Sequence, residues 1–256
     1  MWYTTGYSQS VNRVQNEWIA YATSTDGIHW TKYGAVVNPG PPGSWNGKGS
    51  IWPTVIYENG RYKMWFGGNS ATSYRTGIGY AESGDGVSWS VRTTPVISSS
   101  PARPELWTPC VMKKDGQYYL YVGAGTPIGL YLMTSSDGIS WNEFGKILSP
   151  RSEVAWEKNV IVDPCIITDE NKYRMFYTGY AADNSTAFGY AESVNGINWT
   201  HGGVNPTLAS SATTPWKTTW VAYGTALKEN DRIKLWFSAL TAQPYRWQIG
   251  YAEHTE

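Results

Sequence analysis

Three carboxyl side chains, Glu105, Glu157 and Asp163, fall in segments of this 256-residue chain that are otherwise rich in indole rings. Trp45, Trp52, Trp107, Trp156 and Trp216 lie in or beside the same segments, together with Tyr223 and Arg103. A pyranose ring has apolar C–H faces that stack on indole and hydroxyls that bind carboxylates. Cleaving a glycosidic bond needs two flanking carboxyl groups, one protonated and one ionised. Apolar walls beside acids push two carboxyl pKa values apart. The residue types therefore suit a sugar site, with Asp163, Glu105 and Glu157 as candidate catalytic acids. Trp45, Trp52, Trp107, Trp156, Trp216, Tyr223 and Arg103 are the candidate substrate-binding residues. Trp45, Trp156 and Trp216 have an equally good second reading, as plugs between packed sheets.

The elements that must position these residues repeat. A segment of the form Tyr-Ala-x-Ser-x-Asp-Gly-x-x-Trp recurs with its tryptophan at Trp30, Trp89, Trp141 and Trp199, opening with Leu132-Met133 in the third copy and carrying Asn195 for Asp in the fourth, and a shortened copy begins at Tyr251. An interval of about 55 residues means one supersecondary unit used several times. Residues 51–97 show its content. Pro53–Tyr57 and Arg61–Gly67 read as strands joined by Asn59-Gly60, a type I′ hairpin signal. Gly77–Ser83 reads as a third strand, Asp85-Gly86 as another two-residue turn, and Val87–Val91 as a fourth strand carrying Trp89. A four-stranded antiparallel meander repeated at this period is a propeller blade.

Counting the copies predicts an all-β fold: a five-bladed β-propeller of four-stranded antiparallel blades, forming one domain over residues 1–256. Met1-Trp2-Tyr3 matches the second strand, Met64-Trp65-Phe66, so the first blade lacks its innermost strand and the last lacks its outermost one. An unpaired strand exposes backbone donors and acceptors, and a second copy could cover it, making a homo-oligomer an expectation. The opening positions of the inner strands are Trp52, Thr108, Asp163 and Tyr223, which should face a common channel. A lone inward acid such as Asp163 is costly without a partner or a purpose. The repeated Asp26, Asp85, Asp137 and Asn195 read as turn formers, and the repeated tryptophans as packing between blades.

Composition limits the partners. Twenty basic and twenty acidic residues leave no surplus charge for nucleic acid or an anionic membrane, and the indole rings beside carboxylates make carbohydrate the expected partner. The N-terminus lacks the basic and apolar regions of a signal peptide, and no apolar run approaches a membrane span. His29, His201 and His254 are scattered, so no metal site and no cofactor is expected. Cys110 and Cys165 each follow a proline and read as free thiols.

Val162-Asp163-Pro164-Cys165, Lys172–Gly179 and Gly189–Trp199 resemble the five-bladed propellers of glycoside hydrolase families 43, 32 and 130. The resemblance implies attack on arabinosides, xylosides, fructosides or mannosides, with acids at the inner strands. In family 43 it implies a base Asp, a second Asp that tunes pKa and an acid Glu on successive blades. The chain departs from that pattern. Trp52-Pro53 and Thr108-Pro109 stand where an Asp would, and only Asp163 matches an Asp-Pro site.

Overall fold

The computed structural model describes residues 1–8, 14–169, 171–211, 217, 220–241 and 246–255. Trp216 lies outside them. The strands are β1 Trp2–Ser8, β2 Val14–Thr23, β3 Thr31–Val37, β4 Gly49–Glu58, β5 Arg61–Asn69, β6 Gly77–Ser83, β7 Ser90–Val91, β8 Ile97–Ser98, β9 Pro109–Lys114 and β10 Gln117–Ala124. They continue as β11 Gly129–Ser135, β12 Asn142–Leu148, β13 Val160–Asp169, β14 Lys172–Tyr180, β15 Thr186–Ser193, β16 Thr200–His201, β17 Leu208–Ala209, β18 Trp220–Glu229, β19 Arg232–Leu240 and β20 Trp247–Thr255. A single 3-10 turn, Ala155–Glu157, is the one helical element among the described residues. The all-β expectation holds.

The strands form antiparallel meanders, with one difference from the expected separate blades. The first two repeats share an eight-stranded sheet, because Glu17 of β2 pairs in parallel with Gly49 of β4. The other sheets run β12-β11-β10-β9, β13-β14-β15-β16 with β17 also on β15, and β18-β19-β20. The fourth strand is continuous at β3 and β12 but split into β7 and β8, and into β16 and β17.

The chain folds as two compact units, Met1–Leu120 with Met133–Glu143, and Tyr121–Leu132 with Phe144–Glu256. In the first, Ile19, Val37, Met64, Phe66 and Ala81 form a core flanked by Trp2, Trp45 and Trp89. In the second, Phe188, Val221, Leu235, Phe237 and Ala239 form one cluster, and Ile167, Phe176 and Ile233 another. Alternate residues of each strand supply these faces, as the two-residue period of a strand requires.

The β4–β5 turn is type I′ as expected, with Asn59 at φ 50° and Gly60 at φ 74°. The Asp-Gly turn is not. Only Gly86 is left-handed, at φ 77°, and the bend runs over residues 84–88 before β7 begins at Ser90. Ser83 Oγ accepts the N–H groups of Asp85 and Gly86, and Asp85 Oδ1 accepts those of Val87 and Ser88. These bonds hold the Asp85 carboxyl well below its usual range, the backbone donors being the main cause. Asn195 builds the same loop without a charge. The repeated tryptophan therefore closes a loop and precedes the fourth strand instead of lying in it: Trp89 Nε1 donates to Gly86 O at 3.1 Å, as Trp30 does to Gly27 and Trp199 to Gly196.

Candidate functional site

Three of the four predicted channel residues share an unusual backbone. Trp52, Asp163 and Tyr223 each have φ 54°, in the left-handed region that favours glycine. At each, the register with the second strand shifts, between Ile51 and Thr54, Val162 and Cys165, and Ala222 and Thr225. Two residues thus face one across the ladder, which defines a β-bulge. Pro53 and Pro164 occupy the second bulge position, where a missing N–H breaks no ladder bond. Thr108 has no such conformation, and β9 begins after it at Pro109. A bulge re-aims one side chain at the end of a strand, and non-glycine residues held there are under strain.

In the first unit, Trp52 belongs to a cluster that the sequence did not expose in full. Its N–H donates to Thr4 Oγ1 at 2.7 Å. Arg75, itself left-handed at φ 56°, places its guanidinium 3.4 Å from the Trp107 ring and 5.7 Å from the Trp52 ring. Its Nη1 donates to Glu105 Oε2 at 2.7 Å. The Arg75 N–H donates to Asn69 Oδ1 at 2.9 Å, and Asn69 Nδ2 donates to Glu17 Oε2 at 2.8 Å. Burial pushes the Glu17 carboxyl up, against the Asn69 hydrogen bond and the Arg75 charge. Arg103 is engaged elsewhere, with Nη2 3.1 Å from Glu143 Oε2.

In the second unit, Asp163 is buried at 1% exposure, and Glu157 is fully buried. Glu157 is held by Arg151 Nε and by Tyr177, whose hydroxyl donates to Glu157 Oε2 at 2.6 Å. His201 Nδ1 lies 2.9 Å from the same hydroxyl. Burial, with the bond to Glu157, pushes the Tyr177 phenol up, and burial pushes His201 down. Tyr223 stands 5.9 Å from Trp247, which is 6.1 Å from Trp220, in turn 6.3 Å from Tyr180. The row opens to solvent at Trp247, 47% exposed.

Trp45 and Trp156 are set alike, each within its own unit. A Cβ on Gly68 would meet Trp45 at 2.1 Å, and one on Gly189 would meet Trp156 at 2.2 Å. Trp45 Nε1 donates to Thr93 O at 3.1 Å and Trp156 Nε1 to Val204 O at 2.9 Å. Both indoles lie on glycine-floored strands, 5.8 Å from Phe66 and 6.0 Å from Tyr177.

Residues 1–163 match the family 32 glycosyl hydrolase N-terminal domain. The chain belongs to that family. Two uncharacterized proteins of Mycobacterium tuberculosis, MT1551 and Rv1502, are 32% identical over 151 residues, covering 55% of this chain and 49% of theirs. The matched stretch thus spans about half the length of these curated relatives. A solved glycoside hydrolase superposes with a TM-score of 0.83 at 14% identity, covering 100% of this chain and 83% of that one. A β-1,2-mannobiose phosphorylase from Listeria innocua, solved with β-1,2-mannobiose, gives 0.75 at 16%, covering 93% and 67%. At such identities the likeness is one of fold.

Within this family 32 chain, the sequence missed Arg75, Asn69 and Glu17. Their signal lay in topology. In a meander, the loop joining second and third strands lies at the same end of the sheet as the loop leading into the first strand. Arg75 sits in the former and Trp52 beside the latter, so they meet. Among the described residues no three His, Cys, Asp or Glu side chains gather as metal ligands. Cys110 and Cys165 are not joined by a disulfide.

Proposed function

We propose that this chain is a five-bladed, single-domain propeller that acts on a carbohydrate, with sugar rings stacking on aromatic residues at the inner-strand bulges and Asp163 as the essential acid. The observation that carries this reading is the shared left-handed backbone of Trp52, Asp163 and Tyr223. Strain of this kind persists only where the surroundings enforce it, and it clusters at functional sites. Two of the three bulges present an aromatic ring with further rings beside it, and the third presents the one acid that matches the family's Asp-Pro pattern. Glu157 is assigned a positioning role, because it is fully buried against Arg151 and Tyr177.

The test is calorimetric titration with arabino-, xylo-, fructo- and manno-oligosaccharides, paired with turnover of the matching aryl glycosides. Saturable binding is expected, weakened at least about tenfold in Tyr223→Ala, with turnover lost in Asp163→Asn. No saturable binding to any member of the panel rejects the reading.

A second reading, binding without hydrolysis, is favoured by one observation. Both acids expected to partner Asp163 are already engaged, Glu105 by Arg75 and Glu157 by Arg151. It predicts saturable binding with no turnover of any aryl glycoside.

A further inference from the structure

Arg75 is built into the first unit with more care than a surface arginine receives. Its backbone is left-handed, its N–H is bonded to Asn69 and its carbonyl accepts the N–H of Leu106 at 3.2 Å. The guanidinium lies against Trp107 and beside Trp52, a bulge residue of the proposed sugar site. Stacking leaves the plane of the fork fixed, and its donors point outward from its edges. One donor, Nη1, is taken by Glu105; the Nε–H is buried and has no acceptor among the described residues. The two partners differ in exposure. The Arg75 side chain is 20% exposed, whereas that of Glu105 is 42% exposed. A partly exposed ion pair contributes modest net stability, so the glutamate can be exchanged for another carboxylate at modest cost. A planar fork held between indoles is the geometry that recognises carboxylates with direction as well as charge.

We propose that Arg75 receives a carboxylate carried by the sugar ligand, which makes that ligand an acidic oligosaccharide, and that Glu105 occupies the same position until the ligand displaces it. The proposal rests on the carbohydrate reading above and narrows its substrate class. Ring stacking on Trp52 would supply the sugar-dependent part of the contact and Arg75 the charge-dependent part.

The full chain is titrated with uronic-acid oligosaccharides and with the methyl esters of the same compounds, at low salt. Acetate serves as a free carboxylate competitor. The acids are expected to bind about tenfold more tightly than the esters, a ratio that shrinks as salt screens the charge. Arg75→Gln should collapse the ratio to about one, and Glu105→Gln should raise it by removing the internal competitor. Thermal unfolding checks that Arg75→Gln is folded; if it is not, the Glu105→Gln arm decides alone. Equal affinity of acid and ester in the unsubstituted protein overturns the proposal, as does a ratio unmoved or lowered by Glu105→Gln. Acetate displacing the acids at equal concentration overturns it too, since the site would then read a bare carboxylate. Binding of neutral oligosaccharides without acidic preference sinks this inference and leaves the carbohydrate reading standing. Failure of every sugar to bind removes both.

Discussion

The indole N–H of Trp65 donates to the carbonyl of Gly138 at 2.7 Å, joining residues 73 apart in the chain. The joint recurs. Trp2 Nε1 donates to Gly86 O at 2.8 Å, and Tyr121 Oη to Gly196 O at 2.7 Å. In each case the second-strand aromatic also meets the loop tryptophan edge-on: Trp2 with Trp89 at 6.0 Å, Trp65 with Trp141 at 6.2 Å and Tyr121 with Trp199 at 5.9 Å. Gly86, Gly138 and Gly196 are thus acceptors as well as bends, and neighbouring repeats are riveted through them.

The joints should differ in strength. Gly196 O also accepts Trp199 Nε1, so Tyr121→Phe leaves it satisfied and should cost about 1 kcal/mol. Gly138 O has Trp65 as its donor among the described side chains, and Trp65 is fully buried. Trp65→Phe should therefore cost more, about 2–4 kcal/mol, from an unsatisfied carbonyl plus a cavity. Urea unfolding of the two variants checks the order; equal losses would contradict it.

Glycine floors under Trp45 and Trp156 make a second prediction. Gly189→Ala must push against the Trp156 ring, and overpacking of this kind costs about 1–3 kcal/mol. Gly84 has nothing within 4 Å of its missing Cβ, so Gly84→Ala should stay within about 0.5 kcal/mol of the parent. Denaturant midpoints of the pair test this.

Glu17 gives a pH signature. Burial raises its carboxyl above the ordinary 4.5, so the folded chain holds that proton more tightly than the unfolded chain does. The stabilisation is complete below 4.5 and is lost as pH rises through the folded value. Glu17→Gln is neutral throughout. The stability of this variant relative to the parent should therefore increase from pH 4 toward pH 7. A relative stability of the variant that stays flat or falls over that range would show that Glu17 is not held in a proton-retaining site.

His201 titrates with the opposite consequence. Burial lowers its imidazole below 6.5, with the Glu157 charge opposing. The unfolded chain then takes up the proton first as pH falls, so stability is whole above 6.5 and declines below it. Unfolding curves between pH 7 and pH 5 should fall more steeply in the parent than in His201→Gln. Parallel slopes would show that burial does not hold the His201 imidazole neutral.

Much of this was legible in the order of residues. The repeat marked the antiparallel meanders, Asn59-Gly60 specified its turn type, and Trp52, Asp163 and Tyr223 were found by position alone. These are local matters, fixed by φ preferences and a two-residue alternation that act within one strand or turn. The carbonyl that each loop glycine offers, the glycine floor beneath each indole and the meeting of Arg75 with Trp107 and Glu105 were decided only by the tertiary structure. They join residues far apart in the chain, Arg75 and Glu105 by 30 positions and Trp65 and Gly138 by 73, and such contacts depend on how neighbouring sheets stack and where the loops at one end converge. Spacing along the chain reports which residues occupy equivalent places; packing alone chooses which of them touch.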